Sequence, residues 1–176
     1  MPRHRTTAHT DGVIAAVRAL FGALLLLAAG GCAGVAPTGA ARIERVIDGD
    51  TIVVRIGRGT ERVRLIGIDA PEVAKRGEPG ECFGDEATRI LTDLAPPGGT
   101  VVLERDAEPR DVYGRLLAYV SVRSGDRRVL VNRELLVRGA ARILRIEPNT
   151  ARAAEFEAVA AAARASGAGL WGACGK

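Results

Sequence analysis

Along most of the chain, apolar residues recur with one of two periods. From Ile43 to Ile68 the pattern is strand-like: Ile43 to Ile47, an Asp48-Gly49 turn, Thr51 to Ile56, a Gly57 to Thr60 turn, then Arg62 to Ile68. Three short antiparallel strands are predicted there. Between Cys82 and Leu94, the residues Phe83, Ala87, Ile90, Leu91 and Leu94 fall at helical spacing, and Pro96-Pro97-Gly98-Gly99 ends the run. Val101 to Glu104 and Leu116 to Val122 read as two further strands, and Asn132 to Arg138 as a short helix stopped by Gly139. The last periodic segment, Thr150 to Ala165, predicts a C-terminal helix with Thr150 as its N-cap and Gly167 as its stop. Five short strands with about three helices make an α+β fold that is mainly β, and a small closed sheet of the OB-fold type suits that count.

The first 41 residues follow neither period. Arg3 and Arg5 precede a polar stretch, and Ala19 to Ala29 is an unbroken run of apolar or glycine residues. Spanning a bilayer takes about 20 apolar residues, so the shorter run marks residues 1–32 as a signal peptide rather than a membrane helix. Gly30-Gly31-Cys32 resembles the lipobox of bacterial lipoproteins, which makes Cys32 the expected site of lipid attachment. Ala29 stands where that pattern prefers leucine, and Val35-Ala36 offers an ordinary cleavage site as the competing reading. Residues 33–41, rich in small residues, are expected to be a flexible tether, and residues 42–176 the folded domain. The expected location is outside the cytoplasm, either in the cell envelope as a lipoprotein or secreted.

Composition sharpens the picture in two places. Setting aside the leader removes Arg3, Arg5, Arg18 and Asp11, so the formal charge falls from +4 to +2. A domain so weakly basic must bind any nucleic acid through locally clustered arginines rather than a broad field. Both histidines, His4 and His9, also lie in the leader. Their absence from the domain excludes histidine-activated serine or cysteine nucleophiles and histidine-ligated zinc, and leaves a carboxylate as the base. Once Cys32 is assigned to a lipid, Cys82 and Cys174 remain as a pair in an oxidising compartment, where a disulfide is expected; two free thiols are the alternative.

Candidate chemistry sits in the turns. Asp48-Gly49-Asp50-Thr51 lies between two strands, and Asp69-Ala70-Pro71-Glu72 follows the third. Each alone is an ordinary turn former, yet closure of the sheet would let their carboxylates converge. Arg64 and Arg115 stand on or beside strands where their planar guanidinium forks suit phosphate oxygens, although a lone arginine beside a turn is commonly just solvated.

Taken in order and spacing, Asp48-Gly49-Asp50-Thr51, the run Val63 to Glu72 and the run Asp111 to Tyr119 resemble the staphylococcal nuclease family. Val131-Asn132, Leu136 to Ala141 and Gly169-Leu170-Trp171 extend the likeness over Arg42 to Trp171. The resemblance implies an OB barrel with three helices and a Ca²⁺-dependent nuclease for DNA or RNA that leaves 3′-phosphate products. It implies Asp50, Asp69 and the backbone carbonyl of Ala70 as metal ligands, Glu72 as general base, and Arg64 and Arg115 as phosphate-binding groups. Tyr113 matches a substrate-binding tyrosine, whereas a second, base-stacking tyrosine is replaced by Ile146. Glu78, Glu81 and Asp85 read as solvated acids, Trp171 as a core anchor, and Cys82–Cys174 as the staple of secreted relatives. The rival reading is a catalytically silent OB module that binds nucleic acid or protein; a third is a structural lipoprotein whose Ca²⁺ merely stabilises the fold. A monomer is expected.

Overall fold

The computed structural model describes residue 1 and residues 37–175. The leader, Cys32 and the tether up to residue 36 lie outside these. The elements run β1 (Pro37–Asp48), β2 (Thr51–Ile56), β3 (Gly59–Leu65), β4 (Ile68–Asp69), α1 (Gly84–Leu94), β5 (Thr100–Glu104), β6 (Leu116–Ser124), β7 (Arg127–Leu130), α2 (Val131–Val137), β8 (Arg142–Ile143), α3 (Ala153–Ala165) and α4 (Leu170–Ala173). The main sheet has the order β3-β2-β1-β5-β6-β7, and a parallel pairing of β3 with β6 closes its first five strands into a barrel. This is the expected OB-type architecture. The extra strand β7 hangs on β6 as a hairpin, and β4 and β8 pair separately.

Alternation explains which residues fill the barrel. Ile52, Val54, Val63, Leu65, Val101, Leu103, Leu116, Ala118 and Val120 point inward and are buried, while the residues between them turn out of the barrel, Tyr119 into the core layer beneath α3. The helices contribute Ala87 and Leu91 from α1, Leu135 and Leu136 from α2, and Phe156 and Ala160 from α3. The core is aliphatic apart from Phe156 and Tyr119, whose rings meet edge to face at 5.9 Å.

Several boundaries differ from expectation. Residues 37–41, read from sequence as tether, are the first part of β1, with Ala40 and Ala41 paired to Val102 and Val101 of β5. Small residues carry little hydrophobic signal, yet their backbones pair as well as any. The β2–β3 turn is only Gly57-Arg58, because Gly57 takes φ 60°, so β3 starts at Gly59. Thr150 does not cap α3: the helix begins at Ala153, whose N–H donates to the Thr150 backbone carbonyl at 3.0 Å. At the C-terminus Leu170 is the buried anchor, while Trp171 is half-buried with the guanidinium of Arg164 5.2 Å from its ring centre.

The Cys82–Cys174 disulfide is formed, with S–S 2.07 Å and a sequence separation of 92. In the chain-entropy account a loop of that size stabilises a fold by about 4–5 kcal/mol. It ties the entrance of α1 to the end of α4.

Candidate active site

The β1–β2 turn and the β3–β4 corner bring the first three candidate residues together. Asp50 and Arg64 flank the same end of the barrel because Thr51, the first residue of β2, pairs with Arg64 of β3. The Arg64 guanidinium donates through Nη1 to the carbonyls of Leu65 (2.9 Å) and Ile68 (2.7 Å), and through Nη2 to Asp69 Oδ1 (2.9 Å). The same Nη2 lies 3.0 Å from Asp50 Oδ2. Two carboxylates from separate turns therefore converge on one cationic nitrogen.

Asp50 is the buried member. Its Oδ2 accepts the Ala70 N–H at 2.9 Å and its Oδ1 accepts the Thr51 hydroxyl at 3.0 Å. Burial pushes its pKa up to about 6, against the opposing pull of the Arg64 guanidinium and the Ala70 N–H. Asp69 is half-exposed, its side chain retaining 52% of its surface. One buried and one open carboxylate form an all-oxygen donor pair that suits a hard divalent cation, with the open side left for water. Among the described residues, no group of three or more Asp, Glu, His or Cys side chains is placed to hold a metal ion.

The raised pKa carries a sign. Because folding raises the Asp50 pKa above its usual value near 4, the protonated form favours the fold, and that contribution is lost as pH rises through about 6. In chelator, melts of the protein and of Asp50→Asn between pH 4 and pH 8 should diverge in favour of the amide up to about pH 6 and run parallel above it. Parallel curves throughout would rule out an elevated Asp50 pKa.

Arg115 stands just before β6, the strand that pairs with β3. Its Nε donates to Asp111 Oδ2 at 2.6 Å while its guanidinium carbon sits 5.4 Å from the Tyr113 ring centre. Asp111 also accepts the N–H groups of Tyr113 (3.0 Å) and Arg115 (2.9 Å), which makes it the organiser of the turn. Partial burial works to raise the Asp111 pKa, but these hydrogen bonds outweigh it and hold the carboxyl below its ordinary range. The terminal nitrogens of Arg115 have no protein acceptor among the described residues. Arg64, Arg115, Tyr113, Leu117 and Ile146 line one open cleft of about 670 Å³. Tyr113 is largely exposed on its rim, as is Ile146.

Glu72 lies beyond β4 on a loop closed upon itself. Its carboxylate accepts Lys75 Nζ at 2.6 Å and makes no contact with the Asp50–Arg64–Asp69 group. Its backbone is held firmly: the Glu81 N–H donates to the Glu72 carbonyl at 2.8 Å, and the Glu72 N–H donates to Glu81 Oε2 at 3.2 Å. Gly84 packs against the same carbonyl so closely that any Cβ would overlap it. Glu81, which reads from sequence as a solvated acid, is thus a structural partner of Glu72, and the neighbouring Cys82 fixes it through the disulfide. No periodic signal could have revealed that pairing.

Against known proteins, residues 62–173 match the model of the family described as staphylococcal nuclease homologue. The chain belongs to the staphylococcal nuclease family. Within it, the thermonuclease of Staphylococcus intermedius is 43% identical over 107 residues, covering 61% of each chain. The thermonuclease of Staphylococcus hyicus is 38% identical over 112 residues, again 61% of each chain. Endonuclease YncB of Bacillus subtilis is 34% identical over 131 residues, 73% of this chain and 60% of that one. The match thus spans about three fifths of these relatives' length. In this chain Arg64 and Arg115 line one cleft, and Arg64 links it to the carboxylates of Asp50 and Asp69.

Proposed function

We propose that this staphylococcal nuclease homologue hydrolyses phosphodiester bonds of DNA or RNA, with Ca²⁺ as its cofactor and 3′-phosphate ends among its products. The observation that carries the reading is the convergence of Asp50 and Asp69 on one cationic point at the end of a cleft walled by Arg115. The nuclease names of its relatives support it.

Asp50, Asp69 and the Ala70 carbonyl would hold the ion, which when bound supplies Lewis-acid activation of a water molecule. Glu72, once released from Lys75, is the group that takes the proton from the attacking water. Arg115 offers its two free terminal nitrogens to the non-bridging oxygens, and its Nε–Asp111 bond fixes the plane of that fork. Arg64 turns from its carboxylates to the phosphate as negative charge grows there. Tyr113 on the rim contacts the substrate, and Ile146 supplies an apolar rather than a stacking surface beside it.

Cleavage of plasmid DNA and of RNA in Ca²⁺ and in chelator tests the activity, and Glu72→Gln tests the base. We expect cleavage only with Ca²⁺, and a fall of about 10²–10⁴-fold in kcat for the variant, the range of a general acid–base contribution. Cleavage undiminished by chelator would remove the ion from the mechanism, and full turnover by Glu72→Gln would remove Glu72.

Export and attachment through Cys32 belong to the same proposal, supported by residues 1–32 of the sequence. Metabolic labelling with palmitate should mark the wild type and leave Cys32→Ser unlabelled, whereas an unlabelled wild type would remove the lipid anchor.

A further inference from the structure

We propose that a belt of exposed arginines on the outer barrel wall, leading away from the cleft, binds the phosphodiester backbone of a single strand beyond the nucleotides at the reaction centre. The identity of the ligand rests on the nuclease reading; the belt itself follows from strand register. On β3 and β2, Arg64 pairs with Thr51, Arg62 with Val53 and Thr60 with Arg55, and alternation with the buried Ile52, Val54, Val63 and Leu65 turns all six out of the barrel, where Thr51 and Val53 are covered and Arg55, Thr60 and Arg62 are exposed. Val53 pairs in turn with Arg45 of β1, and Arg55 with Arg42. Arg42 pairs with Thr100 of β5. One step beyond the Val101–Val122 pair, Thr100 meets Arg123, and Arg123 pairs with Arg128 of β7.

Directly paired residues of an antiparallel sheet share a face, and neighbouring strands lie about 4.8 Å apart. From Arg64 the outer face thus steps along β3 to Arg62, crosses to Arg45, and reaches a row formed by Arg55, Arg42, Thr100, Arg123 and Arg128. Four interstrand steps make that row roughly 19 Å long, enough to meet a few successive phosphates of one strand. The row bends with the barrel, so a flexible single strand can follow it whereas a stiff duplex touches only part.

Charge separates this belt from an ordinary solvated surface. Arg55 is paired with Glu44 and Arg128 with Glu104. Arg42, Arg45, Arg62 and Arg123 are exposed and have neither an ion pair nor a side-chain hydrogen bond among the described residues; the same holds for Arg127, which alternates with Arg128 on β7 and joins the row at the hollow of the hairpin. Asp126 is the nearby acid in the hollow formed by Thr100, Arg123, Arg127 and Arg128. In the directly opposed pairs Arg42–Arg55 and Arg123–Arg128 only one arginine has an acid, so the other faces a like charge at a cost to the fold that a polyanion relieves. Guanidinium groups in a row match a phosphate backbone without reading its sequence.

The test uses Arg42→Gln/Arg45→Gln, Arg123→Gln/Arg127→Gln and the fourfold combination in the full chain, with thermal melts to verify folding. Anisotropy in chelator reads the affinity for a 20-nucleotide single strand, its duplex and a tetranucleotide, and flotation reads binding to phosphatidylglycerol vesicles. The fourfold variant should bind the 20-mer at least tenfold more weakly at low salt. The slope of log affinity against log salt should become shallower by about 0.7 for each phosphate that the variant no longer neutralises. Affinity for the tetranucleotide, and kcat/KM on it in Ca²⁺, should stay within twofold. Unchanged 20-mer affinity, an equal loss on the tetranucleotide, or a loss confined to vesicles would overturn the belt. Active wild type with variants that bind like it would remove the belt and leave the nuclease. Inactive wild type with weakened 20-mer binding in the variants would do the reverse.

Discussion

Replacing Arg64 by alanine should lower turnover on single-stranded DNA by about 10²–10³-fold, the cost of removing one pre-organised donor to developing charge. The same change should destabilise the protein, because Asp50 and Arg64 retain only 9% and 11% of their side-chain surface. Losing one member of a buried pair leaves the other charge uncompensated, at a cost of about 3–5 kcal/mol. The guanidinium is what restrains the Asp50 pKa from rising further, so in Arg64→Ala that pKa moves above about 6 and the penalty grows as the solution is made alkaline. Adding Asp50→Asn should restore much of the melting temperature and none of the activity. Turnover like the wild type's would deny Arg64 a part in the chemistry, and a deficit that Asp50→Asn fails to relieve would mean the loss arises from packing.

Asn132→Ala should cost about 2–4 kcal/mol in denaturant unfolding and should lower activity despite its distance from any reacting atom. The side chain is fully buried in α2. Its Oδ1 accepts the Val120 N–H at 2.8 Å, and its Nδ2 donates to the carbonyls of Ile66 (2.9 Å) and Ala118 (3.4 Å). Those backbone groups flank the parallel β3–β6 seam, where the Ile66 N–H also reaches the Ala118 carbonyl at 3.0 Å. Truncation strands buried donors and acceptors and leaves a small void, and both effects act at the place where the barrel closes. Arg64 lies on one side of that seam and Arg115 just precedes the other, so loosening it misplaces one relative to the other. A loss below about 1 kcal/mol would show that the seam closes without Asn132.

Neither prediction could be drawn from periodicity, since both depend on contacts across the chain. The partners of Asn132 lie on β6 and in the turn that follows β3, 12 to 66 residues away. Glu72 and Glu81 are nine residues apart and hydrogen-bond each other, although each alone looks like a solvated acid. The arginines of the belt are spread over five strands, and only register makes them neighbours.

What the sequence determined by itself is the set of local choices. Alternating valine, isoleucine and leucine specified the strands, helical spacing and Gly or Pro stops specified the helices, and turn residues placed Asp50 and Asp69 at strand ends. It also removed histidine chemistry from the domain and named the candidate residues of the site through an ordered likeness to a family. Only the tertiary structure decided that Asp50 and Asp69 share one nitrogen of Arg64, that Arg64 and Arg115 line one cleft, and that residues 37–41 are strand rather than tether. The reason is that hydrophobic period reports which face of an element is buried, while register, barrel closure and backbone pairing of small residues are settled by long-range hydrogen bonds that leave no periodic trace.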